Sequence, residues 1–135
     1  MITVQTSIKA PLEDVWECWT HPDHIVHWNH ASDEWYTPHA ANDLRLGGTF
    51  LYRRESTNGS EGFDFGGTYT SVREFEYIEY TLDDCRKVKI GFNETEDGTE
   101  LKEAFEPEQT NTSDQQQQGW QAILDNFKNY VESKY

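Results

Sequence analysis

The chain reads as an α+β protein in which a curved antiparallel sheet closes around a long C-terminal helix. Three observations carry that reading. Between Thr49 and Glu106, strand-like segments alternate with hairpin signals at Asn58-Gly59, Asp83-Asp84 and Asp97-Gly98. Near the end, Trp120, Ile123, Leu124, Phe127 and Val131 follow at spacings of three or four, the period of an amphipathic helix. Five Trp, seven Tyr and seven Phe offset an apolar share of only 35%, so the chain has bulk to bury and is not disordered. Its 135 residues fit one domain, 1–135, that hides roughly two thirds of the unfolded surface.

Residues 2 to 9 place Ile2, Val4 and Ile8 on one face of a strand. Pro11, Glu13 and Asp14 then suit a helix start, with Leu12, Val15, Trp16 and Trp19 on its apolar side. Pro22 ends that helix and opens a short second one through Ile25 to Trp28. Asn29 to Leu46, with Pro38, has no steady period and is expected to be a loop. After Gly47-Gly48, strands are expected at 49–55, 63–72, 75–82, 87–92 and 99–106, with a bulge or bend at Gly66-Gly67. Pro107 breaks the last strand. Ser113 and Gln116 have the form of a capping box, and Gln115 to Gln118 make a polar first helical turn.

Eleven Lys and Arg against 25 Asp and Glu give a formal net charge of -14. Such a surface repels phosphate backbones and anionic lipid, which argues against nucleic-acid and peripheral membrane partners. The basic clusters Arg53-Arg54 and Arg86-Lys87 are bordered by acids. No apolar run nears the roughly 18 residues of a membrane span, and Met1 to Gln5 does not open a signal peptide. Cys18 and Cys85 form neither a disulfide framework nor a zinc motif, so a reducing, cytoplasmic setting is expected.

A bent sheet and one helix cannot touch everywhere, so this layout favours a cavity between them. Ala10-Pro11 with Val15-Trp16, Trp19-Thr20 with Pro22, His24-Ile25 and Trp28, Asp43-Leu44-Arg45 with Gly47-Gly48, Phe63 to Tyr69, Tyr80 to Asp84 with Arg86, and Gly119 to Phe127 carry a resemblance. Together they resemble homologues of the activator of heat-shock protein 90 ATPase, within the START-like (SRPBCC, Bet v 1-like) superfamily, from about Ile2 to Val131. The resemblance implies a helix-grip fold with a deep hydrophobic pocket under the C-terminal helix. Cys85 stands where a turn glycine is expected and Glu74 where proline is common. Chaperone activation is not expected to transfer, because the chain begins directly at the START-like part; a chaperone partner is a third reading after ligand binding and cyclase-like catalysis.

His21, His24, His27 and His30 invite a metal. Steps of three turn a helix by about 300°, so the four spiral around the axis and no metal site is expected. Cys18 lies among aromatics and Cys85 beside Asp83 and Asp84, both unsuited to a thiolate. No nucleophile elbow, phosphate loop or dinucleotide fingerprint appears, and no cofactor is expected. Asp43 and Arg45, with Asp64 between Phe63 and Phe65, are the candidates for acid-base work of a polyketide cyclase or aromatase type, against a structural ion pair. The ligand-binding candidates are aromatic and aliphatic: Trp28, Trp35, Phe50, Phe65, Tyr69, Phe92, Trp120 and Leu124. Their alternative is plain core packing. Gly119 inside a helix costs about 1 kcal/mol relative to Ala, which close packing or cavity access explains. The expected partner is a small hydrophobic or amphipathic molecule, bound without covalent catalysis.

Overall fold

The computed structural model describes residues 1–134. Its elements are β1 (Ile2–Ile8), α1 (Leu12–Thr20), α2 (Pro22–Trp28), β2 (Trp35–Asn42), β3 (Thr49–Ser56), β4 (Gly62–Arg73), β5 (Tyr77–Leu82), β6 (Lys87–Thr95), β7 (Gly98–Phe105) and α3 (Ser113–Lys134). All seven strands join one antiparallel sheet in the order β1-β7-β6-β5-β4-β3-β2. β2 to β7 form a meander and β1 closes on β7, which leaves α1 and α2 to plug one end of the curl. α3 crosses β1 and rests on both short helices, giving the helix-grip α+β fold.

The alternation expected of half-buried strands holds through the meander. Phe50 and Tyr52 of β3, Ile78 and Tyr80 of β5, Val88, Ile90 and Phe92 of β6, and Leu101 and Phe105 of β7 are buried on the concave side. Under the C-terminal half of α3, Leu124, Phe127 and Val131 are completely buried. Phe127 meets Trp19 and Trp28 edge-on at centroid distances of 4.9 and 4.6 Å, and Trp16 meets Phe92 at 5.0 Å. Edge-to-face packing of this kind adds about 0.5–1.5 kcal/mol per pair beyond area burial.

Four local expectations are corrected. The segment expected as a loop over 29–46 contains β2, an edge strand. Its register shifts between Tyr36 and His39, and Pro38 lies there because an edge strand at an irregularity has no ladder hydrogen bond to lose. The bulge in β4 falls between Tyr69 and Ser71 rather than at Gly66-Gly67. Gly67 serves close approach instead: a Cβ there would lie 2.6 Å from the Thr81 carbonyl oxygen and 3.1 Å from the Phe50 ring. Phe75, expected in a strand, occupies the turn before β5 with φ +66°. The capping box sits one residue earlier than expected. Thr112 Oγ1 accepts from the Gln115 N–H at 3.1 Å, and Gln115 Oε1 accepts from the Thr112 N–H at 3.0 Å.

Gln116 is thereby released for another task. Buried in the first turn of α3, its Nε2 donates to the carbonyls of Glu108 and Asn111, and its Oε1 accepts from the Glu108 N–H at 2.9 Å. These three bonds tie the connection after β7 to the helix, over the open end of the curl. Cys85 has φ +77°, a left-handed conformation in which glycine is at ease and a residue with a Cβ is strained.

Candidate functional site

Beneath the N-terminal half of α3 the sheet and helix separate around a cavity of about 310 Å³. That is the lower end of the usual range of roughly 300–1,000 Å³ for small-molecule sites. β3 contributes Phe50, Tyr52 and Arg54; β4 contributes Phe63, Phe65 and Tyr69; β5 contributes Ile78 and Tyr80. Glu103 enters from β7, Trp19 and Trp28 from α1 and α2, and Gly119, Trp120 and Ile123 from α3. The Trp120 indole stacks on Phe105, with centroids 3.9 Å apart and 9° between planes, and turns toward Phe65 at 6.2 Å.

Among the sequence candidates, Trp28, Phe50, Phe65, Tyr69 and Trp120 converge on this space, whereas Trp35, Phe92 and Leu124 do not line it. Trp35 is on the edge strand against Phe63, with ring centroids at 5.6 Å. Phe92 is taken up by Trp16 and Trp19, and Leu124 lies where α3 is flush with the core. Gly119 meets nothing within 4 Å of its would-be Cβ, so close packing does not explain it; it borders the cavity.

Asp43, Arg45 and Asp64 lie outside the cavity. Arg45 Nε donates to both Asp43 oxygens at 3.0 and 2.9 Å, and Asp64 faces Arg53 at 3.4 Å; all three are largely exposed. Strand parity is the reason: with Phe63 and Phe65 turned inward, Asp64 between them must turn outward. The histidines also disperse. His21 accepts from the Asp23 N–H, His24 Nδ1 shares a hydrogen bond with Tyr130 Oη at 2.6 Å, and His27 stacks on the Tyr130 ring. His30 Nδ1 is buried with no hydrogen-bond partner among the described residues. No grouping of three His, Cys, Asp or Glu suited to a metal occurs among the described residues.

The cavity's chemistry lies in two residues the sequence reading passes over. Arg54 Nε and Nη2 both donate to Asn29 Oδ1, the former at 3.1 Å, and its guanidinium lies over the Phe65 ring at 4.2 Å. Burial lowers its pKa to about 10, so it remains a cation at neutral pH. Glu103 is 5% exposed and makes no side-chain hydrogen bond or ion pair among the described residues. Desolvation raises its pKa to about 8, against a smaller opposing pull from Arg54, so its carboxyl is mostly protonated at pH 7. Tyr52 and Tyr80 are held well above their usual range by burial, and Tyr69 is raised to about 12; all three are neutral phenols.

A visible signal marked both charged residues. Arg54 shares strand parity with Phe50 and Tyr52, and Glu103 with Leu101 and Phe105, so each breaks an apolar alternation on the inward face. Chemically, the site can hold a body with a large apolar part and offer its polar end two cations, Arg54 and Arg86, the neutral acid Glu103, the Glu108 carboxylate, side-chain amides and phenol hydroxyls. No Ser, Cys, His or Lys is among the lining residues, so no side-chain nucleophile of those types faces the space.

The model of the family described as Activator of Hsp90 ATPase homolog 1-like protein matches residues 9–132. Among solved structures, the solution structure of an AHSA1-like protein from Aeromonas hydrophila is 42% identical, with a TM-score of 0.94, covering 98% of this chain and 92% of that one. A solution structure from Cytophaga hutchinsonii is 49% identical, with a TM-score of 0.84 and the same coverage. A Chromobacterium violaceum crystal structure, at 23% identity and a TM-score of 0.87 over 97% of this chain and 96% of its own, shares the fold. No curated protein matches the chain. The sheet, the gripping helix and the match over residues 9–132 lead to one statement of kinship: this chain belongs to the Activator of Hsp90 ATPase homolog 1-like family, within the START-like superfamily.

Proposed function

We propose that the protein holds a small amphipathic molecule between the sheet and the N-terminal half of α3, without covalent catalysis. The observation that carries this reading is the cavity of about 310 Å³, lined by nine aromatic residues together with charged and amide side chains that include Arg54 and the buried Glu103. A purely structural core of this kind would be filled, because interiors pack to crystal-like density and buried charged groups cost free energy unless they have work to do. The family match gives the START-like fold, which is of a ligand-binding kind in general and supports the same reading by analogy of fold. No helix among the described residues is long and apolar enough to cross a membrane.

Trp19, Trp28 and Trp120 on the wall make intrinsic fluorescence a direct reporter. Screening apolar and amphipathic metabolites by fluorescence and native mass spectrometry should find a one-to-one complex. Gly119→Trp, which places a ring at the border of the cavity while leaving the core under Phe127 alone, should abolish it. Binding unaffected by Gly119→Trp would move the site elsewhere.

A cyclase-like reaction is the second reading, and the observation that favours it is the raised pKa of Glu103 inside the cavity rather than the surface trio of Asp43, Arg45 and Asp64. Turnover of a cavity-bound carbonyl compound that is lost in Glu103→Gln with binding retained would establish it. Complex formation with no turnover of any bound carbonyl compound leaves the binding function.

A further inference from the structure

We infer that the guest is an apolar acid, a compact ring-bearing molecule whose carboxylate lies between the Arg54 guanidinium and the Glu103 carboxyl. This rests on the ligand-binding reading above and specifies the chemical class. Arg54 is held by Asn29 through Nε and Nη2 and by its stacking on Phe65, while Nη1 has no hydrogen-bond partner among the described residues. Glu103 shares the cavity wall with it, yet no ion pair joins the two among the described residues. An arginine and a glutamate that border one space without pairing leave two hydrogen-bonding groups open to a guest in it.

A carboxylate meets both. One oxygen accepts from Arg54 Nη1, a charge-assisted bond, and the other accepts the proton of the neutral Glu103 carboxyl. A neutral amide keeps the shape and loses the charge; an ammonium group meets the Arg54 cation and a carboxyl with no charge to offer. The remaining titratable groups at the wall do not reverse this balance. Tyr52, Tyr69 and Tyr80 are neutral, and Arg86 is paired with Asp84 at 2.8 Å. Glu108, in the connection to α3, is held below the usual carboxylate range by the Thr110 and Asn111 N–H groups and stays an anion, but it is partly exposed and its charge is screened by solvent, whereas Glu103 is buried. His30, near Arg54, has its pKa lowered by burial and by that cation and is neutral at pH 7. β1 and β6 contribute no lining residue, and α3 contributes no titratable one. Size sets the other limit. About 310 Å³ stands at the low end of small-molecule sites, room for a compact ring-bearing body.

Above the Glu103 pKa of about 8 a second anion faces the guest, so affinity for the acid falls there. For a complex that needs the protonated carboxyl, Kd rises about tenfold between pH 7 and pH 9.

The test uses three probes of one shape: 2-naphthoate, 2-naphthamide and 2-naphthylmethylamine, titrated calorimetrically at pH 7 and pH 9. The expected order is naphthoate tighter than naphthamide by about tenfold or more, with the amine weakest. Arg54→Gln should remove the preference for naphthoate, and Glu103→Gln should flatten its pH profile while keeping the preference. If Arg54→Gln does not fold, the pH profiles of the native protein and of Glu103→Gln decide. Equal binding of the three probes, or a preference for the amine, overturns the acid-selective site while leaving a hydrophobic cavity standing. Binding of none overturns the ligand-binding reading itself.

Discussion

The two halves of α3 rest on different ground. Toward its C-terminus, Leu124, Phe127 and Val131 are completely buried, because α1 and α2 push Trp16, Trp19 and Trp28 into the space between helix and sheet. Toward its N-terminus no such wedge is inserted. Gln116, Gly119, Trp120 and Ile123 look across a void at Arg54 and Glu103. One helix thus serves as a dry core element over its second half and as a roof over its first. The short helices between β1 and β2 decide where one role ends and the other begins.

The largest effects should fall on the dry half. Phe127→Ala leaves a cavity among Trp19 and Trp28 and is expected to cost about 3–5 kcal/mol in denaturant unfolding. Trp120→Ala, whose ring is only half-buried and faces the void on one side, should cost about 1–2 kcal/mol and remove ligand binding. Equal costs for the two would erase the distinction between the halves.

Next in size is the effect of Glu103. In the native state it holds its proton to about pH 8, whereas in the unfolded chain it loses it near pH 4.5. Unfolding therefore releases a proton across that window, so this group's contribution to stability falls as pH rises, by about 1.4 kcal/mol per unit, and levels off above pH 8. Glu103→Gln removes that slope and should raise stability at pH 7 by about 2–3 kcal/mol, with little change at pH 4. A variant no more stable than the native protein at pH 7 would show that the carboxyl is solvated, and that the polar wall is wet.

The smallest expected effect lies far from the void. Cys85→Gly relieves the φ of +77° in the β5–β6 turn but gives the unfolded chain more freedom. The balance should be a gain of about 0.5–1 kcal/mol, read as a small rise in Tm with ligand affinity unchanged. Loss of affinity in this variant would mean that the turn, through Arg86, governs the cavity.

Much of this architecture is legible in the residues themselves. The period of Trp120 to Val131 and the hairpin signals specify helix and meander, and Cys85 departs from glycine where the backbone takes a glycine-like φ. β2 is hidden because an edge strand needs a partner on one side only, so Pro38 and small polar residues are tolerated where a central strand would exclude them. Phe92 and Leu124 have the inward parity of wall residues, but parity does not say how far along the curl the wedge of α1 and α2 extends. Arg54 and Glu103 escape notice for a different reason. A charge at one position of a strand looks like a solvent-facing residue unless the parity of its neighbours is followed to the end of the strand.

The most direct measurement is the set of five indole N–H signals in an ¹⁵N-labelled sample titrated with 2-naphthoate and with 2-naphthamide. The expected result is that Trp19, Trp28 and Trp120, which border the cavity, shift on saturation, while Trp16 in the packed core and Trp35 on the edge strand stay in place. Movement confined to Trp35, or no movement of Trp120 with a bound probe, would contradict a guest site under the roof half of α3.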